Sequence, residues 1–279
     1  MKDDFSKLER EDYTDPQCPF CTDQYEKEPQ VRPIPTARVL EKLDEFFGRN
    51  DYAGAERLLL YWLNEAQLGT DERGEFQLRN ELMGFYRKQG NEAAATENAD
   101  RALALAGKIG ILQSVAGATA LLNAATVRKA FGKPGDAVPL FEKARAVYEA
   151  ELKPDDPRLA GLYNNMSLAL VDLGRYAEAR ALYQKAISVL SATEGNEPEL
   201  AVTYLNLANL EEAEKGLENG AEAIETDLET AATYLNAPQP QNGNYAFVCE
   251  KCAPTFDYYG HFAFAAELTE RAKKIYEGA

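Results

Sequence analysis

Six glycines stand at near-constant spacing along this 279-residue chain: Gly48, Gly90, Gly132, Gly174, Gly216 and Gly260. The first four intervals are 42 residues each and the last is 44. A period of that size belongs to repeat arrays, in which one supersecondary unit recurs and buries its apolar face against its neighbours. The core of such an array is a continuous seam, so length alone does not give a domain count. With 45% apolar residues, the chain has enough material for that seam.

Around Gly174, apolar or small residues fall at Tyr163, Met166, Ser167 and Leu170, and again at Tyr176, Ala179, Tyr183 and Ala186. Spacings of three and four place each set on one face of a helix. The glycine between them suits a helix C-terminus that needs a left-handed residue. The unit is therefore a helix–turn–helix hairpin. The small residues let the two helices approach, and the large ones fill the space between successive pairs. The same frame fits Ala124, Ala125, Ala137, Phe141 and Ala144, then Leu82, Met83, Tyr86, Ala95 and Ala102. It fits the start less well, through Val39, Leu43, Phe46, Tyr52, Ala55, Leu59 and Trp62. The fifth copy has a regular first helix (Tyr204, Leu207, Ala208) but a less regular turn and second helix. The sixth runs through Phe256, Phe262, Ala265 and Ala272.

This pattern resembles the tetratricopeptide repeat (TPR), and its long period resembles the kinesin-light-chain type. HEAT and armadillo arrays, with similar periods, rank second because the glycine turn and its flanking small residues favour the TPR frame. The resemblance implies an all-α fold: a right-handed α-α superhelix of about six helical hairpins over residues 33–279. The expected repeats are approximately 35–68, 76–109, 118–151, 160–193, 201–236 and 246–279. Residues 1–32, rich in acidic residues and proline, fall outside the frame as an irregular N-terminal arm.

A formal net charge of −16 argues against nucleic acid and against anionic membrane surfaces as partners. The start MKDDFSKLEREDYTD is not a signal peptide, and no window reaches the ~18 apolar residues of a membrane span. The expected location is cytoplasmic. No phosphate loop, zinc-protease motif or nucleophile elbow is present. His261 is the only histidine, so most nucleophile–base pairings are unavailable. The chain reads as a non-enzyme without a cofactor.

In the resembled family the first helix of each hairpin lines a concave groove. Asn123, Asn165 and Asn206 share one groove position in three successive copies, with Asn164 and Asn209 beside them. A side-chain amide offers both donors and an acceptor, and can hold a peptide backbone without reading its sequence. The resemblance implies that use here; the alternative is local bonding within the array. Arg87, Lys88 and Lys129 also fall at groove positions, where they would meet an acidic group. Glu211, Glu212, Glu214, Glu218, Glu222, Glu225, Asp227 and Glu229 crowd the fifth copy, as a solvated face or as an acidic end of the groove.

Two Cys-x-x-Cys pairs remain. Cys249 and Cys252 fall at packing positions of the sixth first-helix and read as core. Cys18 and Cys21 in the arm leave three alternatives open: packing, redox pairing or a zinc site. The favoured function is an adaptor that holds an extended protein or peptide segment. The alternatives are a sensor whose arm occupies the groove, or a structural protein that binds zinc or forms a homodimer through an uncapped last hairpin.

Overall fold

The computed structural model describes residues 31–49 and 51–278, and all of their regular secondary structure is helical. The helices are α1 (Thr36–Gly48), α2 (Tyr52–Leu68), α3 (Glu72–Lys88), α4 (Glu92–Lys108), α5 (Val115–Ala130), α6 (Pro134–Glu151), α7 (Pro157–Asp172), α8 (Tyr176–Leu190), α9 (Glu197–Asn236), α10 (Gly243–Tyr258) and α11 (Phe262–Glu277). Residues 1–30 of the N-terminal arm, with Cys18 and Cys21, lie outside the described residues.

Glycine sets most of the turns. Gly90, Gly132, Gly174, Gly216 and Gly260 take φ between 70° and 89°, the left-handed region that a residue without Cβ occupies at least cost. After Gly174, the Arg175 N–H returns to the Leu170 carbonyl and closes the end of α7. Gly48 departs from this rule: its backbone stays helical, and the chain turns through Arg49, whose φ is −103°. The first hairpin instead depends on Gly54, where a Cβ would stand 2.4 Å from the Asp51 carboxylate and 2.6 Å from the Phe46 ring.

The first helices α3, α5, α7, α9 and α10 begin at Glu72, Val115, Pro157, Glu197 and Gly243. These starts lie three or four residues ahead of the repeat starts read from the sequence. Local capping places several of them: Ser114 Oγ accepts from Gly117 N–H, Asp156 from Arg158 N–H, and Asn242 from Tyr245 N–H. The irregular fifth copy proves to be two helices within Glu197–Asn236 that follow one another directly, broken only at Gly216 (φ 77°, ψ 166°).

The chain divides into two compact units between Leu82 and Met83, within α3. In the first, Val39, Leu43, Ala55, Leu59 and Ala66 are buried, and Asp71 accepts from the Ile34 and Gly74 N–H groups at 2.9 Å. In the second, α7 packs on both α5 and α6, and α9 on both α7 and α8. Ala125, Ala137, Ala144, Ser167, Ala179 and Ala186 are fully buried where helices approach. Ser167 Oγ donates to the Ala179 carbonyl at 3.1 Å and so ties the two helices of the fourth hairpin. Phe141, Tyr148, Met166, Leu170, Tyr183 and Leu190 fill the spaces between.

Candidate functional site

The asparagine row lies on the first helices, and the structure gives its members different partners. Asn123, Asn164, Asn165 and Asn206 are half-buried, and Asn209 is exposed. Asn164 Nδ2 donates across to Thr203 Oγ1 at 2.8 Å, and Thr203 passes the bond to the Glu199 carbonyl. Asn164 Oδ1 is buried without a hydrogen-bond partner among the described residues. This residue therefore joins the fourth hairpin to the fifth. Asn165 Nδ2 donates to the Gly161 carbonyl of its own helix at 2.8 Å, which leaves its second N–H and its Oδ1 for another partner. Asn206 makes no side-chain hydrogen bond among the described residues. Asn209 Oδ1 accepts from the Tyr259 hydroxyl at 3.1 Å.

The cations also separate. Lys129 pairs with Asp172 of the next first helix at 3.4 Å. Lys88 is exposed. Arg87 is half-buried, has no carboxylate partner among the described residues, and its guanidinium pKa is lowered by burial. A cation that has lost water without gaining an anion is under-stabilised, and an incoming carboxylate would correct that.

Part of the acidic run of the fifth copy is engaged within the array, while Glu218, Glu222 and Glu229 are exposed. Glu211 is 5% exposed and is paired with Arg180 and, at 2.7 Å, with Lys215. Arg180 also holds Glu214. Glu212 accepts from the Tyr258 hydroxyl at 2.6 Å and the Tyr259 hydroxyl at 2.7 Å. Asp227 is half-buried beside Glu211. Burial first, and the Glu211 charge second, push its carboxyl up to about 6 against the opposing pull of Arg180. Neither a wholly solvated face nor an open acidic strip describes this group.

Cys249 and Cys252 are buried in the core of the last hairpins, and burial pushes the Cys252 thiol up to about 12. A neutral buried thiol is neither a ready nucleophile nor a ready metal ligand. Among the described residues no group of three or more His, Cys, Asp or Glu could hold a metal ion. His261 stands at the N-cap position of α11 without a side-chain capping bond, and its Nε2 lies 3.2 Å from Glu225.

Models of the tetratricopeptide repeat match residues 118–158 and 158–218. Residues 118–218 of this chain thus carry tetratricopeptide repeats. BtubC (BKLC) from P. vanneervenii has a similar solved fold: TM-score 0.61 and 19% identity, over 73% of this chain and 83% of that one. A Podosopora anserina protein of kinesin-light-chain kind, with nearly identical TPR-like repeats, gives TM-score 0.50 and 18% identity over 71% and 93%. No curated protein matches the chain significantly. Among the described residues, no helix is long and apolar enough to cross a membrane.

The sequence reading missed the residues that hold the hairpins together: Thr203, Asp172, Arg180, Tyr258 and Tyr259. A signal for three of the contacts existed. Asn164 stands ten residues before its turn glycine, Lys129 three before and Arg180 six after, and each reaches the next hairpin.

Proposed function

We propose that this protein binds an extended segment of a partner protein along the face formed by its first helices, and that its role is binding rather than catalysis. TPR arrays are protein-interaction scaffolds, and their exposed helical faces are the surfaces they use. The observation that carries the finer reading is the shared register of Asn123, Asn165 and Asn206 on α5, α7 and α9. In this row Asn165 and Asn206 retain amide groups able to bond a peptide backbone. On this reading Arg87 and Lys88, near the end of α3, would receive an acidic side chain or a terminal carboxylate, while Lys129 of α5 is already held by Asp172. Asn164 and Asn209 serve the row indirectly, because they hold adjacent hairpins in place.

The test uses peptides selected from a random display library on the wild-type protein. Replacing both Asn165 and Asn206 with alanine should weaken those peptides at least tenfold, since each lost amide removes about 1 kcal/mol of net hydrogen bonding. Replacing Arg87 with glutamine should weaken preferentially the peptides that carry a carboxylate. Selected peptides that bind the double alanine variant as tightly as wild type would reject the reading.

A further inference from the structure

The sequence holds two Asn–Gly pairs, Asn219–Gly220 and Asn242–Gly243, and the structure places them in opposite surroundings. Asn219 lies in the helix that follows the Gly216 break. Its Nδ2 donates to the Lys215 carbonyl at 3.2 Å. Gly220 is buried, and a Cβ there would stand 3.2 Å from the Glu211 carbonyl. Asn242 instead is the N-cap of α10, at the end of the proline-rich connection from α9. Its Oδ1 accepts from the Tyr245 N–H at 3.1 Å, while its Nδ2 donates to no group among the described residues. Gly243 is the first residue of α10, where a helix leaves its N–H without a carbonyl one turn back. No backbone carbonyl among the described residues accepts that N–H. Asn242 and Gly243 are both exposed, and nothing stands within 4 Å of a Cβ built on Gly243. The amide nitrogen of Gly243 and the amide group of Asn242 are thus adjacent, accessible and uncommitted.

We infer that Asn242–Gly243 is a site of spontaneous covalent modification through a succinimide, which Asn219–Gly220 escapes. The Gly243 backbone nitrogen attacks Asn242 Cγ. The N–Cγ bond forms, the Cγ–Nδ2 bond breaks, and Nδ2 leaves as ammonia with the proton released by the Gly243 N–H. Glycine favours the closure because no Cβ blocks the approach of its nitrogen. Solvent water then opens the ring at either carbonyl, with no oxidation or reduction. Opening at Cγ gives aspartate. Opening at the main-chain carbonyl gives isoaspartate, whose main chain runs through Cγ. Each product adds one negative charge. The two differ at the cap. Aspartate keeps a side-chain oxygen for the Tyr245 N–H, at the positive end of the helix. Isoaspartate lengthens the main chain and moves the carboxylate to Cα. The carbonyl that accepts from Ala246 at 3.0 Å and the oxygen that accepts from Tyr245 both lose their register. That loss reaches the core through Tyr245, which is buried, donates to the Leu235 carbonyl and accepts from Arg271, each at 2.9 Å. Isoaspartate therefore loosens the joint between the fifth and sixth hairpins. The same reaction at Asn219 must wait for local opening of its helix. This inference does not rest on the binding reading.

The full chain is aged in mildly alkaline buffer, and tandem mass spectrometry of its digest locates each amide-to-acid conversion. Asn242 should convert more than about tenfold faster than Asn219, and within about tenfold of the rate in a free peptide copying residues 238–248. Gly243→Ala, which meets open space, should slow the conversion by about tenfold. Asn242→Asp keeps the cap and should melt with fresh wild type, whereas aged wild type should melt at a lower temperature, by a shift that grows with its isoaspartate content. Similar rates at the two pairs, or an Asn242 rate more than about tenfold below that of the free peptide, would overturn the proposal. Aged wild type that melts with the Asn242→Asp variant would overturn the link from isoaspartate to the joint.

Discussion

The fourth and fifth hairpins share one glycine register and differ in how they turn and in what they bury. In the fourth, α7 and α8 are separate helices, and the residue facing the seam near the end of α7 is Leu170, 1% exposed. In the fifth the two helices follow one another directly across Gly216, whose left-handed φ of 77° breaks the helix. A shift of 41 residues pairs Tyr163 with Tyr204 and Ser167 with Ala208, and it places Glu211 where the fourth hairpin has Leu170. A buried carboxylate is affordable there because the fourth hairpin supplies Arg180 and the end of the fifth hairpin's first helix supplies Lys215. The repeat fixes where helices run. It does not fix the chemistry of the seam, so an ionic joint can replace an apolar one if both partners arrive together.

The largest effect expected from this comparison follows removal of Arg180. Arg180→Ala leaves Glu211 buried with Lys215 alone and should cost about 3 kcal/mol in chemical denaturation. Replacing Arg180 and Glu211 together with leucine should recover most of that loss, by rebuilding the fourth hairpin's joint in the fifth. Failure of the double variant to recover would break the comparison.

A smaller effect separates the turn glycines. Gly174→Ala forces a Cβ into a left-handed backbone and should destabilise by about 1 kcal/mol. Gly48→Ala meets open space in a helical backbone and should stabilise by about 0.5 kcal/mol. Thermal melts of the two variants should therefore shift in opposite directions.

The smallest effect concerns Asp227. Its folded pKa, about 6, lies above the ordinary 3.8, so the native state binds more protons than the unfolded chain between those values. Its contribution to stability is present below pH 3.8 and is lost as pH rises through 6. Asp227→Asn should thus stabilise the protein at pH 7 by about 1 kcal/mol, after discounting for the side chain's partial exposure. The gain should disappear below about pH 4. A gain that is the same at both pH values would show that the carboxylate is not the cause.

Much of the fold was legible in the sequence because hairpins are local structures. The period of three and four, the small residues at close approaches and the glycines with positive φ are each written within one copy. Gly48 misled because spacing alone cannot show that the first hairpin turns through Arg49 and relies on Gly54 for its close approach. The asparagine row was visible as a register, but its bonding was not. Asn164 and Asn165 are adjacent in sequence, yet one bonds the next hairpin and the other its own helix. Glu211 was read as part of a charge run because its partner Arg180 stands 31 residues away. Such pairings between copies become visible only when copies are aligned and neighbouring registers are compared.

The most direct test of the binding account is a crystal structure of the full chain with a display-selected peptide. The account predicts an extended peptide along the first-helix face, with its backbone N–H and C=O groups bonded to the Asn165 and Asn206 amides. A peptide bound to the second helices, or one that leaves both asparagines untouched, would contradict it.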